Sequence, residues 1–191
     1  LEGCNEYLNI SDPDTIVELH RKFLKAGAMV IETNTFGSSS VVLSEYGLEN
    51  RVQELNRAAV ANAKKAIAEF STPEHPRYIV GSVGPTTKLP ILGHISPKDL
   101  TATITEQVHT LLDSGVDALI VETCQDILQV KTSLIACFDL LERTGVDIPV
   151  LASVTFERQG TMLVGTDICA VCATVAPFPV FSLGLNCATG P

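Results

Sequence analysis

Short apolar runs alternate with longer amphipathic segments along the whole chain. The apolar runs lie at residues 29–31, 78–83, 118–121, 150–155 and 180–185. Short apolar runs bounded by turn residues are typical of buried strands, and strands without polar alternation indicate a parallel sheet that is covered on both faces. The pattern therefore predicts five parallel strands.

The segments between these runs repeat apolar residues at helical spacing. Two of them begin with a capping side chain followed by proline, at Ser11–Asp12–Pro13 and at Ser96–Pro97, which is a common helix start. Glycine follows the last periodic residue of three of them, at positions 27, 115 and 145, as is usual at helix ends. We expect long helices beginning near residues 13, 49, 97 and 127, and a shorter one over about 166–175.

One strand-and-polar-end unit occurs twice. Ala26–Gly27 leads into Ile31–Glu32–Thr33, and Ser114–Gly115 leads into Val121–Glu122–Thr123. This repetition favours an α/β fold of the (β/α)8 TIM-barrel type over a doubly wound sheet. The glycine-rich motifs of nucleotide-binding folds are absent from the sequence, which removes the usual support for a doubly wound sheet. Five strands do not close an eight-stranded barrel, and the chain does not begin with Met. We therefore predict one incomplete barrel domain over residues 1–191, truncated at both ends.

Composition narrows the class of protein. The chain has 191 residues, 46% of them hydrophobic and 18% charged, with a net charge of -9. These values are typical of a globular protein, and the acidic balance argues against nucleic acid or an anionic membrane surface as a partner. No secretory leader opens the sequence, and six cysteines scattered through apolar segments suit a reducing compartment. We expect a cytoplasmic protein.

Polar residues collect where the predicted strands end. They are Glu32, Thr33, Asn34, Glu122, Thr123, Asn186 and Cys187. In a barrel these ends converge on one mouth. A carboxylate there needs a partner, so Glu122 binds either the amino group of a substrate or a basic or backbone group of the scaffold. Cys187 is either a metal ligand or nucleophile, or a small buried hydrophobic residue.

The remaining cysteines and histidines give weaker signals. Cys169 and Cys172 form a C-x-x-C motif, but no second pair supports a zinc ribbon, and the motif falls inside an apolar helix. We therefore expect both thiols in the core, as we do for Cys137 in its own helix. His20 and His109 are predicted to lie on helix surfaces.

Five motifs occur in the order in which a known family has them. They lie at residues 3–9, 31–37, 83–86, 121–123 and 184–188. Together they resemble the homocysteine-binding domain of cobalamin-dependent methionine synthase, within the zinc-dependent homocysteine S-methyltransferases. The resemblance covers nearly the whole chain, and the first two motifs favour the methionine synthase branch.

The resemblance implies roles for individual residues. Cys187 would be one of three cysteine thiolates that hold zinc, and the other two would lie in a Gly-Gly-Cys-Cys-Gly stretch beyond this chain. Glu122 would bind the amino group of homocysteine. Glu32, Thr33, Asn34 and Asn186 would be further substrate-binding residues, and no catalytic residue is assigned.

The resemblance also implies a reaction. Zinc would present homocysteine as a thiolate, and methylcobalamin, recharged from methyltetrahydrofolate on other domains of the full-length protein, would supply the methyl group to give methionine. The fragment alone is expected to be inactive. Two alternatives stay open: a stand-alone homocysteine methyltransferase with another methyl donor, and a non-catalytic module that binds an amino acid without zinc.

Overall fold

The structure, a computed structural model, describes residues 2–188. Within them, strands and helices alternate along the chain. The strands are β1 (Val30–Glu32), β2 (Tyr78–Val83), β3 (Ala118–Cys124), β4 (Val150–Val154) and β5 (Ser182–Leu185). The helices are α1 (Leu8–Ser11), α2 (Pro13–Lys25), α3 (Ser40–Leu43), α4 (Val52–Ile67), α5 (Pro97–Asp113), α6 (Ile127–Thr144) and α7 (Ile168–Val175). Short 3-10 turns cover Asn5–Tyr7, Ser44–Tyr46, Glu49–Arg51 and Pro90–Leu92.

The five described strands form one parallel sheet in the order β1-β2-β3-β4-β5. Spatial order equal to chain order is the arrangement of a (β/α)8 barrel, whereas a doubly wound sheet reverses its order at a switch point. The predicted fold class is therefore confirmed, with the sheet present as an incomplete barrel.

The predicted helix starts are confirmed by their capping contacts. The Asp12 carboxylate accepts a hydrogen bond from the Thr15 amide before α2, and the Ser96 hydroxyl accepts one from the Asp99 amide before α5. Such contacts satisfy amides that the first turn of a helix leaves without a partner. The helix expected from residue 49 begins later, at Val52, because a 3-10 turn occupies its first residues.

The main core lies between the helices and one face of the sheet. Leu119 and Val121 of β3 pack there with helix residues such as Ile104 and Leu134. The other face of the sheet is only partly covered, so β1 and β5 are more exposed than we expected. Leu185, for example, is 63% exposed. Within residues 2–188, no helix combines the length and the apolar content that a membrane span requires.

Three side-chain expectations are wrong, and two are confirmed, the exposure of His109 on α5 and the burial of Cys137. Cys169 and Cys172 are exposed, because the short helix α7 buries only one face, through Val171 and Val175. His20 is buried, and burial lowers the pKa of its imidazole.

Cys137 is fully buried in the core, as expected. Burial raises the pKa of its thiol to about 12. A thiol with so high a pKa stays protonated at neutral pH and is a poor nucleophile.

Candidate functional site

The carboxyl end of β3 places Glu122 in contact with Thr123 and with Ser82 of the neighbouring strand β2. The Ser82 hydroxyl at the end of β2 donates to Glu122 Oε1 at 2.6 Å, and the Thr123 hydroxyl donates to Glu122 Oε2 at 3.3 Å. Each oxygen of the half-buried carboxylate therefore accepts one hydrogen bond from a hydroxyl group. A carboxylate has further lone pairs, so a ligand can still bind it.

Asn186 continues this set of contacts from the end of β5. Its Nδ2 atom donates to Thr123 Oγ1 at 2.8 Å and lies 3.4 Å from Cys187 Sγ, within the range of an N–H···S hydrogen bond. Its Oδ1 atom accepts from the Ser153 hydroxyl of β4 at 2.7 Å. We call Ser82, Glu122, Thr123, Ser153, Asn186 and Cys187 the strand-end network.

A bulge in β3 shapes this network. Val121 pairs with Ala152 and Cys124 pairs with Val154, so β3 contains one more residue than β4 over this stretch. Thr123 lies in the bulge with a φ of 59°, in the left-handed region that β-branched residues rarely adopt. Cys187 also has a positive φ, of 60°. Unusual backbone conformations of this kind cluster at functional sites.

The carboxylates near this mouth have no basic partner within residues 2–188. Neither Glu32 nor Glu122 forms an ion pair there. The pKa of Glu32 is raised, first because the surrounding protein removes part of its hydration and second because the charge of Glu122 repels its own. The arrangement is therefore suited to a cationic group.

Thr33 contacts the strand-end network through Ser82, whereas Asn34 contacts the N-terminal segment. The Thr33 hydroxyl accepts from the Ser82 amide at 3.1 Å and is paired with the Thr35 hydroxyl. Asn34 binds the N-terminal segment, where its Nδ2 donates to the Asn5 carbonyl at 2.9 Å and its own carbonyl accepts from Asn9. Both side chains are thus engaged by the scaffold, and their predicted contact with substrate stays a prediction.

The ends of β1 and β2 approach each other closely at this edge. The Gly84 amide donates to the Phe36 carbonyl at 3.2 Å, and a Cβ on Gly84 would come within 2.5 Å of the same oxygen. Glu6 accepts from the Gly37 amide at 2.7 Å. Only glycine fits at position 84. Through these contacts, the motifs at residues 3–9, 31–37 and 83–86 meet in one packed region.

Cys187 is the thiol available for a metal at this edge. It is exposed, whereas Cys124 at the end of β3 is buried with a pKa raised to about 12, chiefly by burial. Within residues 2–188 there is no group of three or more side chains that could hold a metal ion. Cys187 fits one position of a thiolate zinc site, and the described residues do not complete such a site.

Two members of the strand-end network were not predicted from the sequence. Ser82 and Ser153 are polar residues inside otherwise apolar strands, and each donates its hydroxyl to a neighbouring strand end. A hydroxyl at an inward position of a buried strand needs a partner, which is the signal that could have identified both.

The chain is similar in sequence to known methyltransferases. A sequence profile of homocysteine S-methyltransferases matches residues 2–191. The chain belongs to the homocysteine S-methyltransferase family. It is 44% identical to the methionine synthases of Mycobacterium leprae and Mycobacterium tuberculosis over all 191 residues. The resemblance stated from the motifs is thereby confirmed.

Solved structures of the family share the fold of this S-methyltransferase domain. The homocysteine methyltransferase MmuM from Escherichia coli superimposes in its metallated form with a TM-score of 0.78 and 26% identity, covering 94% of this chain and 65% of that one. Its apo form gives a TM-score of 0.72. The chain spans only 16% of the length of the mycobacterial methionine synthases.

Proposed function

We propose that this chain is the homocysteine-binding part of a methionine synthase. The observation that carries the proposal is the strand-end network, in which Glu122 and Cys187 are linked through Thr123 and Asn186. Homocysteine carries an amino group and a thiol. A carboxylate with no basic partner within residues 2–188 and an exposed thiol, held in one network, are suited to an amino acid with these two groups.

Glu122 would bind the ammonium group of the substrate. Its two oxygens each accept one hydroxyl, from Ser82 and Thr123, which fixes the plane of the carboxylate and leaves lone pairs free. An ammonium–carboxylate hydrogen bond is charge-assisted and stronger than a neutral one. Glu32 would add negative potential at the same mouth and so favour a cationic group, while Thr33 and Asn34 would hold the end of β1 in place.

Cys187 would be one ligand of the zinc ion that the family resemblance implies, together with cysteines elsewhere in the full-length protein. Zinc, when bound, keeps a coordinated thiol deprotonated at neutral pH. Asn186 Nδ2 lies within hydrogen-bond range of Cys187 Sγ and would orient that ligand. Such outer contacts of metal ligands commonly set ligand orientation and basicity. The metallated form of MmuM supports a metal in this family.

Methylcobalamin is the methyl donor we propose, carried with methyltetrahydrofolate on other domains of the full-length protein. The 44% identity to two methionine synthases, against 26% to MmuM, favours this branch. The cytoplasm is the proposed compartment, because the buried cysteines are free thiols.

Methionine formation by the full-length protein tests this function. With homocysteine and methylcobalamin, methionine should form, should stop after zinc is removed with a chelator, and should resume when zinc is restored. Turnover with another methyl donor but not with methylcobalamin would indicate the stand-alone enzyme instead. Homocysteine binding that survives zinc removal, without turnover by any donor, would indicate a non-catalytic binding module.

A further inference from the structure

Thr123 occupies an unusual position for its residue type. It is half-buried in the β3 bulge, and its backbone is held at a φ of 59°. A β-branched residue in this region is a genuine outlier, and such conformations persist only where the surrounding contacts determine them. Here those contacts include the pairing of β3 with β4 on either side of the bulge and the hydrogen bonds of the Thr123 hydroxyl.

The hydrogen bonds of that hydroxyl have a fixed direction. Asn186 Nδ2 can only donate, so Thr123 Oγ1 accepts its proton at 2.8 Å. The single proton of the Thr123 hydroxyl is then directed to Glu122 Oε2, which can only accept when ionised. The same Asn186 nitrogen faces Cys187 Sγ. The Thr123 hydroxyl therefore connects the Glu122 carboxylate to the Asn186–Cys187 segment, which carries the exposed thiol.

The other contacts of Glu122 and Asn186 explain why the Thr123 hydroxyl is important. Ser82 holds only Glu122 Oε1, so without the Thr123 hydroxyl the carboxylate can turn about its remaining bond. Asn186 is also held by Ser153, but without Thr123 it loses its link to β3. The bulge places the Thr123 hydroxyl between Glu122, on β3, and Asn186, at the end of β5. A regular strand would direct this side chain elsewhere.

We infer that Thr123 is a positioning residue that fixes the Glu122 carboxylate relative to the Asn186–Cys187 segment, so that the amino and sulfur groups of one ligand bind together. This inference rests on the proposed function. It assigns no contact between Thr123 and the substrate, because both hydrogen bonds of its hydroxyl go to the protein.

Two substitutions in the full-length zinc-loaded protein test this role. Thr123→Val keeps the branched shape and removes the hydroxyl, and it should weaken homocysteine binding about tenfold, the scale of one lost hydrogen bond to a charged group. Thr123→Ser keeps the hydroxyl and should bind homocysteine almost as the parent protein does. Thr101→Val on α5, which removes a hydroxyl bonded to the Pro97 carbonyl, is the matched control.

Zinc affinity, measured by competition with a chelator, gives a second readout. Thr123→Val should weaken zinc binding, because Asn186 loses one of its anchors next to Cys187. A contact of this kind commonly changes metal affinity about 10- to 100-fold when it is removed directly, and an indirect loss should be smaller. Thr123→Ser should keep the parent affinity for zinc.

A double-substitution cycle separates positioning from simple packing. In a Glu122→Gln background the charge that Thr123 orients is gone and only its link to Asn186 remains, so Thr123→Val should cause a smaller further loss of homocysteine affinity than it does in the parent protein. If the two losses multiply, the hydroxyl acts independently of Glu122 and the inference is wrong. If Thr123→Val folds poorly, Thr123→Gly relieves the positive φ, lacks the hydroxyl, and should show the same loss.

The controls distinguish the inference from the function on which it rests. Failure of the parent protein to bind homocysteine would overturn the proposed function. Parent-like homocysteine and zinc affinities in Thr123→Val and Thr123→Gly, with a parent protein that binds both, would overturn the inference alone. A loss in Thr123→Ser equal to that in Thr123→Val would also overturn it, because the hydroxyl would then not be the responsible group.

Discussion

Replacing Glu122 by Gln removes one negative charge from the strand-end network with little change of shape. The Gln side chain has an oxygen that can still accept from Ser82, as Glu122 Oε1 does at 2.6 Å. Its amide nitrogen would face the Thr123 hydroxyl, which can turn to accept. The change therefore tests the charge of residue 122 more than its packing.

The magnitude follows from the surroundings of the carboxylate. Glu122 has no basic partner within residues 2–188, so a bound ammonium group would be its main counter-charge. Losing one member of a partly buried charge pair costs about 2–4 kcal/mol, which is roughly 30- to 1000-fold in affinity. Removing the charge of Glu122 also removes the repulsion that helps to raise the pKa of Glu32. Glu32 then carries its negative charge more readily and still attracts the ammonium group, so we expect a loss of affinity in the lower part of this range.

Isothermal titration of homocysteine into the full-length protein measures the effect, and elemental analysis measures the zinc content in parallel. Zinc should stay bound, because Glu122 is not a proposed ligand. Glu106→Gln, at an exposed position of α5, is a matched control that should bind homocysteine normally. Normal homocysteine binding by Glu122→Gln would mean that the carboxylate is structural, and the reasoning about this site would be refuted.

Four further substitutions have defined outcomes. Cys187→Ala should lose zinc from the full-length protein; full zinc occupancy by elemental analysis would contradict this. Cys169→Ala and Cys172→Ala should leave zinc and turnover unchanged, with a change in unfolding free energy within about 0.5 kcal/mol because both positions are exposed; loss of zinc would make them ligands. Glu32→Gln should raise the thermal unfolding temperature near pH 7. In the folded protein the pKa of the Glu32 carboxyl lies above its ordinary value of 4.5. The free energy of unfolding of the parent protein therefore falls as the pH rises from 4.5 through the raised pKa. Below pH 4.5 the carboxyl is protonated in both states, so the gain in the variant should vanish there. A gain that is the same at both pH values would contradict it.

The helices and strands were predictable because their signals are local. Asp12 and Ser96 cap the helices that their positions before proline predicted. The position of Glu122 at a strand end was also predictable, since an apolar run that stops at a carboxylate marks that end. Apolar periodicity and caps depend on neighbouring residues, which the sequence shows directly.

The details that make the site depend on contacts between distant residues. The positive φ of Thr123 and the bulge around it arise from pairing of β3 with β4 and from contact with Asn186, so no local pattern announces them. The exposure of Cys169 and the burial of His20 were likewise mispredicted, because an apolar helix buries only the face that meets a neighbour.

Zinc K-edge absorption spectroscopy of the full-length protein tests the central claim most directly. If the domain binds homocysteine as a metal thiolate, adding homocysteine should add one sulfur neighbour at about 2.3 Å to the zinc coordination shell. At saturating homocysteine the same change should appear in Glu122→Gln, since that variant is weakened in affinity but keeps its metal. A zinc shell that does not change when homocysteine binds would contradict the account.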